Sequence, residues 1–376
     1  MIRILLVFGT RPEAIKLCPV VRELRARPGR FSVRICVTAQ HRGLLDQVLD
    51  VFQVVPDRDL DLMRPGQTLS ALTARILEGL DPVLAEETPD MVLVQGDTTT
   101  TLAASLAAFY CGIPVGHVEA GLRTGDLSQP FPEELNRVVT GRLAALHFAP
   151  TTAAAANLVA EGMPRDRIHV TGNTGIDAVL QVRDALASGA LPAGDWPMLD
   201  RSRRLIVVTG HRRENFGPAF AGEMRALARL AERPDVEVIY PVHPNPNVTG
   251  PARELLGNRP RIHLIEPLAY VPFVDLMRRA WFLITDSGGI QEEAPSLGKP
   301  VLVLRNKTER PEAVEAGTVK LVGTDEDRIV TEATRLLDDE AEYARMTRVH
   351  NPYGDGQASR RIADTLETHF RRTPAT

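Results

Sequence analysis

Short apolar segments alternate with helix-length segments along almost the whole chain, and this alternation limits the possible folds more than any other feature. The apolar segments are nearly continuous, as in parallel strands that are covered by helices on both faces. The pattern predicts an α/β protein with doubly wound parallel sheets built from right-handed βαβ units. The strands are expected at about 2–8, 33–38, 91–95, 114–118, 145–149 and 168–171, and then at about 204–209, 236–241, 262–265, 281–285, 300–304 and 318–322.

The two sets of strands predict two domains. The chain has 376 residues, which suits two domains of roughly 150 residues each. A break across 174–203, with a loop-like composition at 188–195, separates the two sets. We therefore expect an N-terminal Rossmann-like domain over 1–173 and a C-terminal Rossmann-like domain over 174–356.

The C-terminal segment 357–376 carries one more predicted helix, at about 357–372. Its Ile362, Leu366 and Phe370 recur at i, i+4 and i+8 and share one face. This face must pack against another element, which the periodicity alone does not identify.

Composition excludes several classes of function. A formal net charge of −4 gives no basic field, so we expect no nucleic-acid partner. No apolar run approaches 18 residues, so no membrane span is expected. Cys18, Cys36 and Cys111 match neither a zinc spacing nor a disulfide framework, and the N-terminus lacks a signal peptide. These features favour a cytoplasmic protein whose cysteines are small core residues.

Polar segments follow most of the predicted strands. In open α/β sheets, ligands bind beyond the carboxyl ends of the strands. If the two domains face each other, one interdomain cleft collects these segments. They are 9–16, 38–42, 95–98, 119–121 and 171–173 in the first half, and 209–215, 241–243, 285–289 and 305–311 in the second.

The segment DSGGIQEEA at 286–294 predicts a phosphate site. Ser287, Gly288 and Gly289 lie between a strand and a helix, where a hydroxyl group, unhindered backbone N–H groups and the positive helix end suit a phosphate. Glu293, about one turn later, is placed to accept hydrogen bonds from a ribose diol. The alternative is a simple capped turn.

Cations at neighbouring strand ends favour the phosphate site over a simple turn. They are His211, Arg310, Arg11 and Lys16. Several cations near one cleft of a net-acidic protein indicate a di-anionic ligand, although Arg11 and Lys16 taken singly also suit helix capping or the surface.

No motif calls for a cofactor. GTRPEA replaces the G-x-G-x-x-G fingerprint after the first strand, and there is no Walker loop. The histidines are scattered without metal-ligand spacing, so no metal is expected. We interpret His147, His169 and His263 as structural.

Three carboxylates remain that a phosphate site does not need. Asp97, Glu119 and Glu133 come from different strand ends and loops of the first half. Chemistry on a sugar ring would use them, because proton removal and proton delivery both need positioned carboxyl groups. Helix capping is the alternative for Asp97 and Glu133, whereas Glu134 and Arg137 are expected to serve the helix.

Eight strings taken together identify a resemblance: GTRPEAIK, VQGDT, HVEAGLRTG, PEELNR, GHRREN, PVHPNP, DSGGIQEEAPSLGKP and TERPE. They resemble the non-hydrolysing bacterial UDP-N-acetylglucosamine 2-epimerases, from Phe8 to about Gly323. The resemblance implies a GT-B fold, with the last helix packing on the first domain. It also implies a homodimer that interconverts UDP-GlcNAc and UDP-ManNAc without a redox cofactor or metal, for cell-surface polysaccharide synthesis.

The implied mechanism eliminates UDP to give 2-acetamidoglucal and then adds UDP back. His211, Arg11 and Arg310, with Ser287 and the amides of Gly288 and Gly289, would stabilise the diphosphate. Glu293 would hold the ribose, and Lys16 would tune a carboxylate or a phosphate. Asp97, Glu119 and Glu133 would move the protons, and the face that each one serves stays open.

Three other functions remain open: a hydrolysing 2-epimerase, a GT-B glycosyltransferase and a non-catalytic sensor of nucleotide sugars. A sensor would have no use for the three carboxylates. Some bacterial relatives also bind a second, activating UDP-GlcNAc, which implies an allosteric site at Gln40, His41 and His243. Ala39 departs from the usual Gly of this loop and tolerates a positive φ poorly.

Overall fold

A computed structural model describes residues 1–38, 42–64, 66–212, 215–308, 310–348 and 350–372. The chain forms two compact units. The first unit consists of Met1–Ala178 and Gly354–Thr376, and the second unit consists of Val179–Tyr353.

The first unit contains a parallel sheet of seven strands in the order β3-β2-β1-β4-β5-β6-β7. The strands are β1 Ile2–Phe8, β2 Phe31–Val37, β3 Arg58–Asp59, β4 Met91–Gln95, β5 Val115–Val118, β6 Leu146–Ala149 and β7 Ile168–Val170. The helices between and after them are α1 Arg11–Arg25, α2 Arg42–Phe52, α3 Leu69–Glu87, α4 Thr99–Tyr110, α5 Glu133–Leu143 and α6 Thr152–Ala160. Helix α7 Thr174–Ser188 begins in the first unit and ends in the second.

The core of the first unit explains why its central strands are continuously apolar. All of Met91–Gln95 in β4 is buried, because helices cover both faces of a doubly wound sheet. Helix α4 presents small side chains to the core, and Ala103, Ala104, Ala107 and Ala108 are all at most 1% exposed. Small residues allow this helix to approach its neighbours closely. The strand and helix ends that carry the polar turns are thereby held rigidly.

The second unit contains a parallel sheet of six strands in the order β10-β9-β8-β11-β12-β13. The strands are β8 Arg204–Thr209, β9 Val236–Pro241, β10 Ile262–Ile265, β11 Phe282–Thr285, β12 Val301–Val303 and β13 Val319–Leu321. Its helices are α8 Pro218–Leu230, α9 Pro246–Leu256, α10 Tyr270–Arg279, α11 Gly288–Glu293, α12 Pro311–Ala316, α13 Glu326–Asp338 and α14 Glu340–Thr347.

The last helix, α15 Ala358–Arg372, belongs to the first unit and contacts α1. Its apolar face is buried, with Ile362 and Leu366 both 0% exposed. The Asp177 carboxylate accepts the backbone N–H groups of Ala358 and Ser359 at 3.2 and 2.8 Å, which satisfies donors at the start of the helix. Packing and capping together tie the C-terminal segment to the first unit.

The predicted α/β fold with two doubly wound parallel sheets is confirmed. Three details differ from the prediction. The strand β3 is added at the edge of the first sheet, and helix α7 occupies the first half of the predicted break. Cys18 and Cys36 are buried, but Cys111 is exposed because it follows the last turn of α4 rather than facing the core. Among the described helices, none is long and apolar enough to cross a membrane.

Candidate active site

Each sheet has one point at which the strand order reverses. It lies between β1 and β4 in the first unit and between β8 and β11 in the second. The helices that follow the two strands leave such a point in opposite directions, which opens a crevice at the carboxyl ends of the strands. Four of the predicted polar segments, 9–16, 95–98, 209–215 and 285–289, follow these four strands, so the topology gathers them at two points.

The first unit has a cavity of about 190 Å³ at its reversal point. Its lining comes from the turn after β1, the turn after β4, the end of β5 and helix α5. Five residues with ionisable side chains line it, namely Glu13, Lys16, Asp97, Glu119 and Arg137. Three carboxyl groups and two cations therefore share one small space.

Glu119 is held in an unusual backbone conformation. It directly follows β5, and its φ of +63° lies in the left-handed region that non-glycine residues rarely adopt. Its side chain is 7% exposed and accepts hydrogen bonds from Lys16 Nζ and from Gln95 Nε2. Strain of this kind persists where the surroundings fix a residue, and it is common at active sites.

Asp97 has a different partner. Arg137 Nη2 lies 2.9 Å from Asp97 Oδ2, and the Asp97 side chain is 30% exposed. Its turn is held from two sides, because His117 Nε2 donates to Gly96 O at 2.7 Å and Asn136 Nδ2 donates to Asp97 O at 2.8 Å. Glu119 and Asp97 are therefore separately positioned and separately paired.

Glu13 joins the turns after β1 and β4. It is 1% exposed and accepts the backbone N–H groups of Gly9 and Thr10 at 3.1 and 2.7 Å, while Thr98 Oγ1 donates to its other oxygen at 2.7 Å. With Thr10 it forms the capping box of α1. Burial raises the pKa of Glu13, and the hydrogen bonds oppose that shift. Glu13 fixes the floor of the cavity.

Arg137 and Glu134 correct a prediction. Both were expected to serve helix α5, but Arg137 pairs with Asp97 in the cavity. The buried Glu134 carboxylate accepts the backbone N–H groups of Thr124 and Gly125, each at 3.0 Å. Glu134 therefore fixes the loop that follows Glu119.

Glu133 and Arg11 lie next to the cavity without lining it. Glu133 is the first residue of α5, one turn before Arg137. Arg11 is the first residue of α1 and is half-buried between Thr10 and Pro12, which both line the cavity.

Two histidines of the first unit are buried in its sheet. His117 and His147 are paired residues on β5 and β6 and are both 0% exposed. Burial is the main cause that lowers the pKa of His117 to about 3 and that of His147 to about 4. Both rings are therefore neutral at neutral pH, as suits structural residues.

At the reversal point of the second unit, His211 follows β8 and Asp286 follows β11. Asp286 Oδ2 accepts the backbone N–H groups of His211 and Arg212, each at 2.7 Å. His211 Nδ1 lies 3.4 Å from Asp286 Oδ1, and the His211 side chain remains 43% exposed. The imidazole is thus anchored on one side and accessible on the other.

The His211 ring stacks on the ring of His243, with centroids 5.3 Å apart and planes inclined by 15°. Burial lowers the pKa of His243, and His211 adds to this shift. The other two predicted allosteric residues, Gln40 and His41, lie outside the described residues, as does Ala39.

Arg310 lies directly against the start of α11. A Cβ atom built on Gly288 would lie 2.6 Å from Arg310 Cζ, so only a glycine leaves room for the guanidinium. Arg310 Nε donates to Glu292 Oε1 at 2.6 Å, which holds the side chain. Gly289 is open, with no atom within 4 Å of a Cβ built on it. Ser287 begins this helix, and Glu293 ends it half-buried.

Several residues with a role in these clusters were not predicted from the sequence. Gln95 and Asp286 lie at strand ends, and this position in the sequence could have marked them as candidates for the site. Glu292, Asn136 and Arg137 lie on helices and reach turns that are distant in sequence, which no local pattern reveals. Within the described part of the chain, no group of three or more metal-binding side chains is found.

Comparisons with known proteins agree with this geometry. A family model described as UDP-N-acetylglucosamine 2-epimerase matches residues 22–367. The UDP-N-acetylglucosamine 2-epimerase of Escherichia coli (strain K12) is 59% identical over 372 residues, which cover 98% of this chain and 99% of that protein. That of Bacillus subtilis (strain 168) is 52% identical over 373 residues, which cover 98% of this chain and 96% of that protein.

A solved structure shows the same architecture. The crystal structure of UDP-GlcNAc 2-epimerase from Neisseria meningitidis bound to UDP-GlcNAc matches with a TM-score of 0.88 and 48% identity, covering 98% of this chain and 100% of that one. The fold is GT-B-like, as predicted, with two parallel α/β units. From its motifs, its fold and its similarity over nearly the whole length, the chain belongs to the UDP-N-acetylglucosamine 2-epimerase family.

Proposed function

We propose that this protein catalyses the reversible epimerisation of UDP-GlcNAc to UDP-ManNAc at carbon 2, without net hydrolysis. The observation that carries the proposal is the cavity at the end of β1 and β4, where Glu119 and Asp97 are held by different cations. Two carboxyl groups in separate environments are what a reaction with one proton removal and one proton delivery requires.

The chemistry follows from the acidity of carbon 2. Its proton is not next to a carbonyl group, so direct removal at neutral pH is too slow. As the bond from carbon 1 to the UDP oxygen breaks, carbon 1 gains positive charge and the neighbouring C–H bond becomes acidic. A base removes that proton, and 2-acetamidoglucal and UDP remain bound. UDP then adds back to carbon 1 while an acid delivers a proton to the opposite face of carbon 2.

The carboxylates of the first unit are assigned the proton transfers. Glu119 and Asp97 are the acid–base pair in the cavity, and Glu133 is the third candidate beside it. Lys16, which contacts Glu119, tunes that carboxylate by its charge. This support is geometric: the side chains of Glu119 and Asp97 are both less than one third exposed and have fixed partners.

Residues of the second unit, with Arg11 of the first, are assigned to the nucleotide. His211 and Arg310 stabilise the negative charge that develops on the leaving diphosphate, together with Arg11, the Ser287 hydroxyl group and the amides of Gly288 and Gly289. Glu293 binds the ribose diol. The pairing of Arg310 with Glu292 holds the guanidinium in place before the ligand arrives.

The reaction is redox-neutral, so the proposed mechanism uses no added redox cofactor. We further propose a cytoplasmic homodimer. His243, stacked on His211, is proposed to contribute with Gln40 and His41 to a site for an activating UDP-GlcNAc.

Incubation with UDP-GlcNAc in heavy water, followed by NMR, tests the proposal. Deuterium is expected at carbon 2 of both UDP-sugars, with little free sugar, because the proton is removed and replaced from solvent. Stoichiometric release of ManNAc and UDP would instead identify a hydrolysing epimerase. Transfer of the sugar to an acceptor would identify a glycosyltransferase, and binding without any exchange would identify a sensor.

A further inference from the structure

Two buried carboxyl groups lie close to the turn that contains His211. Glu223 on α8 and Asp286 after β11 are both 1% exposed. Asp286 already uses one oxygen, Oδ2, to hold the backbone N–H groups of His211 and Arg212. The position of the His211 ring therefore depends on where the Asp286 carboxylate stands.

The two carboxyl groups meet at Gly210. A Cβ atom built on Gly210 would lie 3.9 Å from both Asp286 Oδ2 and Glu223 Oε2, and 3.4 Å from Tyr240 Oη. Glu223 Oε2 and Asp286 Oδ1 are buried oxygens with no hydrogen-bond partner among the residues that the structure describes. Buried polar atoms are normally paired, and Asp286 Oδ1 at least has His211 Nδ1 at 3.4 Å. Glu223 Oε2 is thus left in a buried space beside Asp286, where a negative charge on it would be costly.

The remaining contacts indicate which carboxyl group carries a proton. Asp286 Oδ2 accepts two backbone N–H groups, and bonds of this kind favour the ionised form. Glu223 Oε1 accepts one bond, from Asn215 Nδ2 at 2.8 Å, and Asn215 is itself held by Leu304 O at 3.0 Å. Two carboxyl groups in one buried site cannot both ionise readily. The proton therefore belongs on Glu223 Oε2.

We propose that Glu223 is a positioning residue, whose carboxyl group stays protonated and neutral beside Asp286, so that the Asp286 carboxylate holds the backbone of His211 in place for the leaving diphosphate. The proposal rests on the assignment of His211 in the proposed function. It adds a group that no strand-end motif contains and that is not expected to touch the substrate.

The charges around Glu223 support this arrangement. The polar groups that face it are Asp286 from β11, Tyr240 from β9 and Asn215 from the segment before α8, with His211 beyond Asp286. Burial, and next the charge of Asp286, raise the pKa of Glu223 to about 9. Burial and the two carboxyl groups also raise the pKa of Tyr240, which donates to Gly210 O at 2.6 Å and stays neutral.

The consequence is a limit on activity in alkaline solution. When Glu223 loses its proton, a second negative charge appears beside Asp286, and the two carboxylates repel each other. The backbone of His211 and Arg212 should then shift. We expect kcat of the wild-type protein to fall as the pH rises through about 9.

The test compares kcat for UDP-GlcNAc epimerisation between pH 6.5 and 10 in the wild type and two variants. Glu223→Gln keeps a neutral group that can still accept from Asn215, so its kcat at pH 7 should stay within about twofold of wild type, and the decline near pH 9 should be lost. Glu223→Leu removes the partner of Asn215, and its kcat should fall by about tenfold or more even at pH 7. Glu237→Gln is the matched control, because Glu237 is a buried carboxyl group of the same unit whose partners are Asp200 and His263.

A decline near pH 9 that Glu223→Gln shares with the wild type would overturn the proposal. So would a wild-type kcat at pH 7 in a folded Glu223→Leu variant. If Glu223→Leu does not fold, the pH profile of Glu223→Gln still decides the question.

Thermal unfolding provides a readout that does not depend on catalysis. The pKa of Glu223 is raised from 4.5 to about 9 in the folded protein, so its protonated form adds stability that is complete below 4.5 and is lost as pH rises through 9. The Tm of the wild type should therefore fall relative to that of Glu223→Gln across this range. If the wild type has no epimerase activity but its Tm falls relative to that of Glu223→Gln, the proposed function is refuted and the carboxyl pair is not. If the Tm profiles of the wild type and Glu223→Gln are parallel, the carboxyl pair is refuted.

Discussion

The two units bring strand ends together at equivalent points of their sheets, yet they place different side chains there. At the reversal point of the first unit, Glu119 and Asp97 turn their carboxylates into a cavity and take Lys16 and Arg137 as partners. At that of the second unit, the carboxylate of Asp286 faces inward to backbone N–H groups, and the His211 ring remains accessible.

This difference shows that topology determines where a crevice forms, whereas the residues at the crevice determine its chemistry. The reversal of strand order determines where a crevice forms, and it does so identically in both sheets. The first unit presents the carboxylates that are proposed to transfer protons, while the second presents an imidazole, a guanidinium and glycine amides that are proposed to bind a diphosphate. Substitutions in each unit should therefore affect different steps of the proposed reaction.

The largest effect is expected from the carboxylates of the first unit. Asp97→Asn and Glu119→Gln should each lower kcat by at least about a hundredfold, because a general acid or base typically contributes that much. The affinity for UDP, measured by calorimetry, should change little. Glu161→Gln, which removes a carboxylate paired with Arg123 in the same unit, is the control. Near-wild-type turnover in Asp97→Asn or Glu119→Gln would exclude that residue from the proton transfers.

The next largest effect is expected from the cation of the second unit. Arg310→Ala should weaken UDP binding about tenfold to a hundredfold, since a hydrogen bond to a charged group contributes about 1.5–3 kcal/mol. Calorimetry with UDP measures this loss directly. Arg345→Ala removes an exposed arginine paired with Glu342 in the same unit and should leave the affinity unchanged. Equal affinity in the two variants would contradict the assignment of Arg310 to the diphosphate.

A smaller effect is expected when the guanidinium is displaced rather than removed. Gly288→Ala would place a Cβ atom 2.6 Å from Arg310 Cζ, so Arg310 must move and UDP affinity should fall by a few-fold to about tenfold. Gly250→Ala is a matched control on α9, where a Cβ atom meets nothing within 4 Å. UDP titration of both variants checks this, and unchanged affinity in Gly288→Ala would show that the position of Arg310 is not critical.

The smallest expected effect concerns the pH dependence of stability. The first unit should lose stability as the pH falls, because it buries a neutral histidine. Burial lowers the pKa of His117 from 6.5 to about 3, so the neutral ring adds stability above pH 6.5 that is lost as pH falls toward 3. His117→Gln can still donate to Gly96 O but cannot become charged. On acidification, its Tm should fall several degrees less than that of the wild type. A loss of 1 kcal/mol in the free energy of unfolding lowers Tm by about 2–4 °C.

Exposed His350 of the second unit provides the control for this experiment. His350→Gln should follow the wild-type Tm at every pH. If His117→Gln also follows the wild-type profile between pH 6.5 and 4, burial of His117 does not make the first unit sensitive to acid.

Most of the fold could be predicted because buried parallel strands leave long apolar runs in the sequence. The exception, β3, consists of Arg58 and Asp59. Two charged residues give no apolar signal, and their strand exists only because the edge of β2 is available for pairing.

The candidate site was predictable where strand ends carry its residues, as for Asp97, Glu119, His211 and Ser287. Their partners were harder to predict. Arg137 reaches Asp97 from the middle of α5, and Asn136 of the same helix reaches the backbone of Asp97. Such contacts depend on how the helices pack against the sheet, and no local sequence pattern encodes this packing.

Helix α15 has a consequence for the synthesis of the protein. The second unit is one continuous stretch, Val179–Tyr353, inserted between two parts of the first. Because a ribosome releases the chain from its N-terminus, all of the second unit emerges before Ile362 and Leu366 can cover α1. The unit encoded first is therefore completed last, and a nascent chain that stops before α15 leaves its apolar surface without a cover.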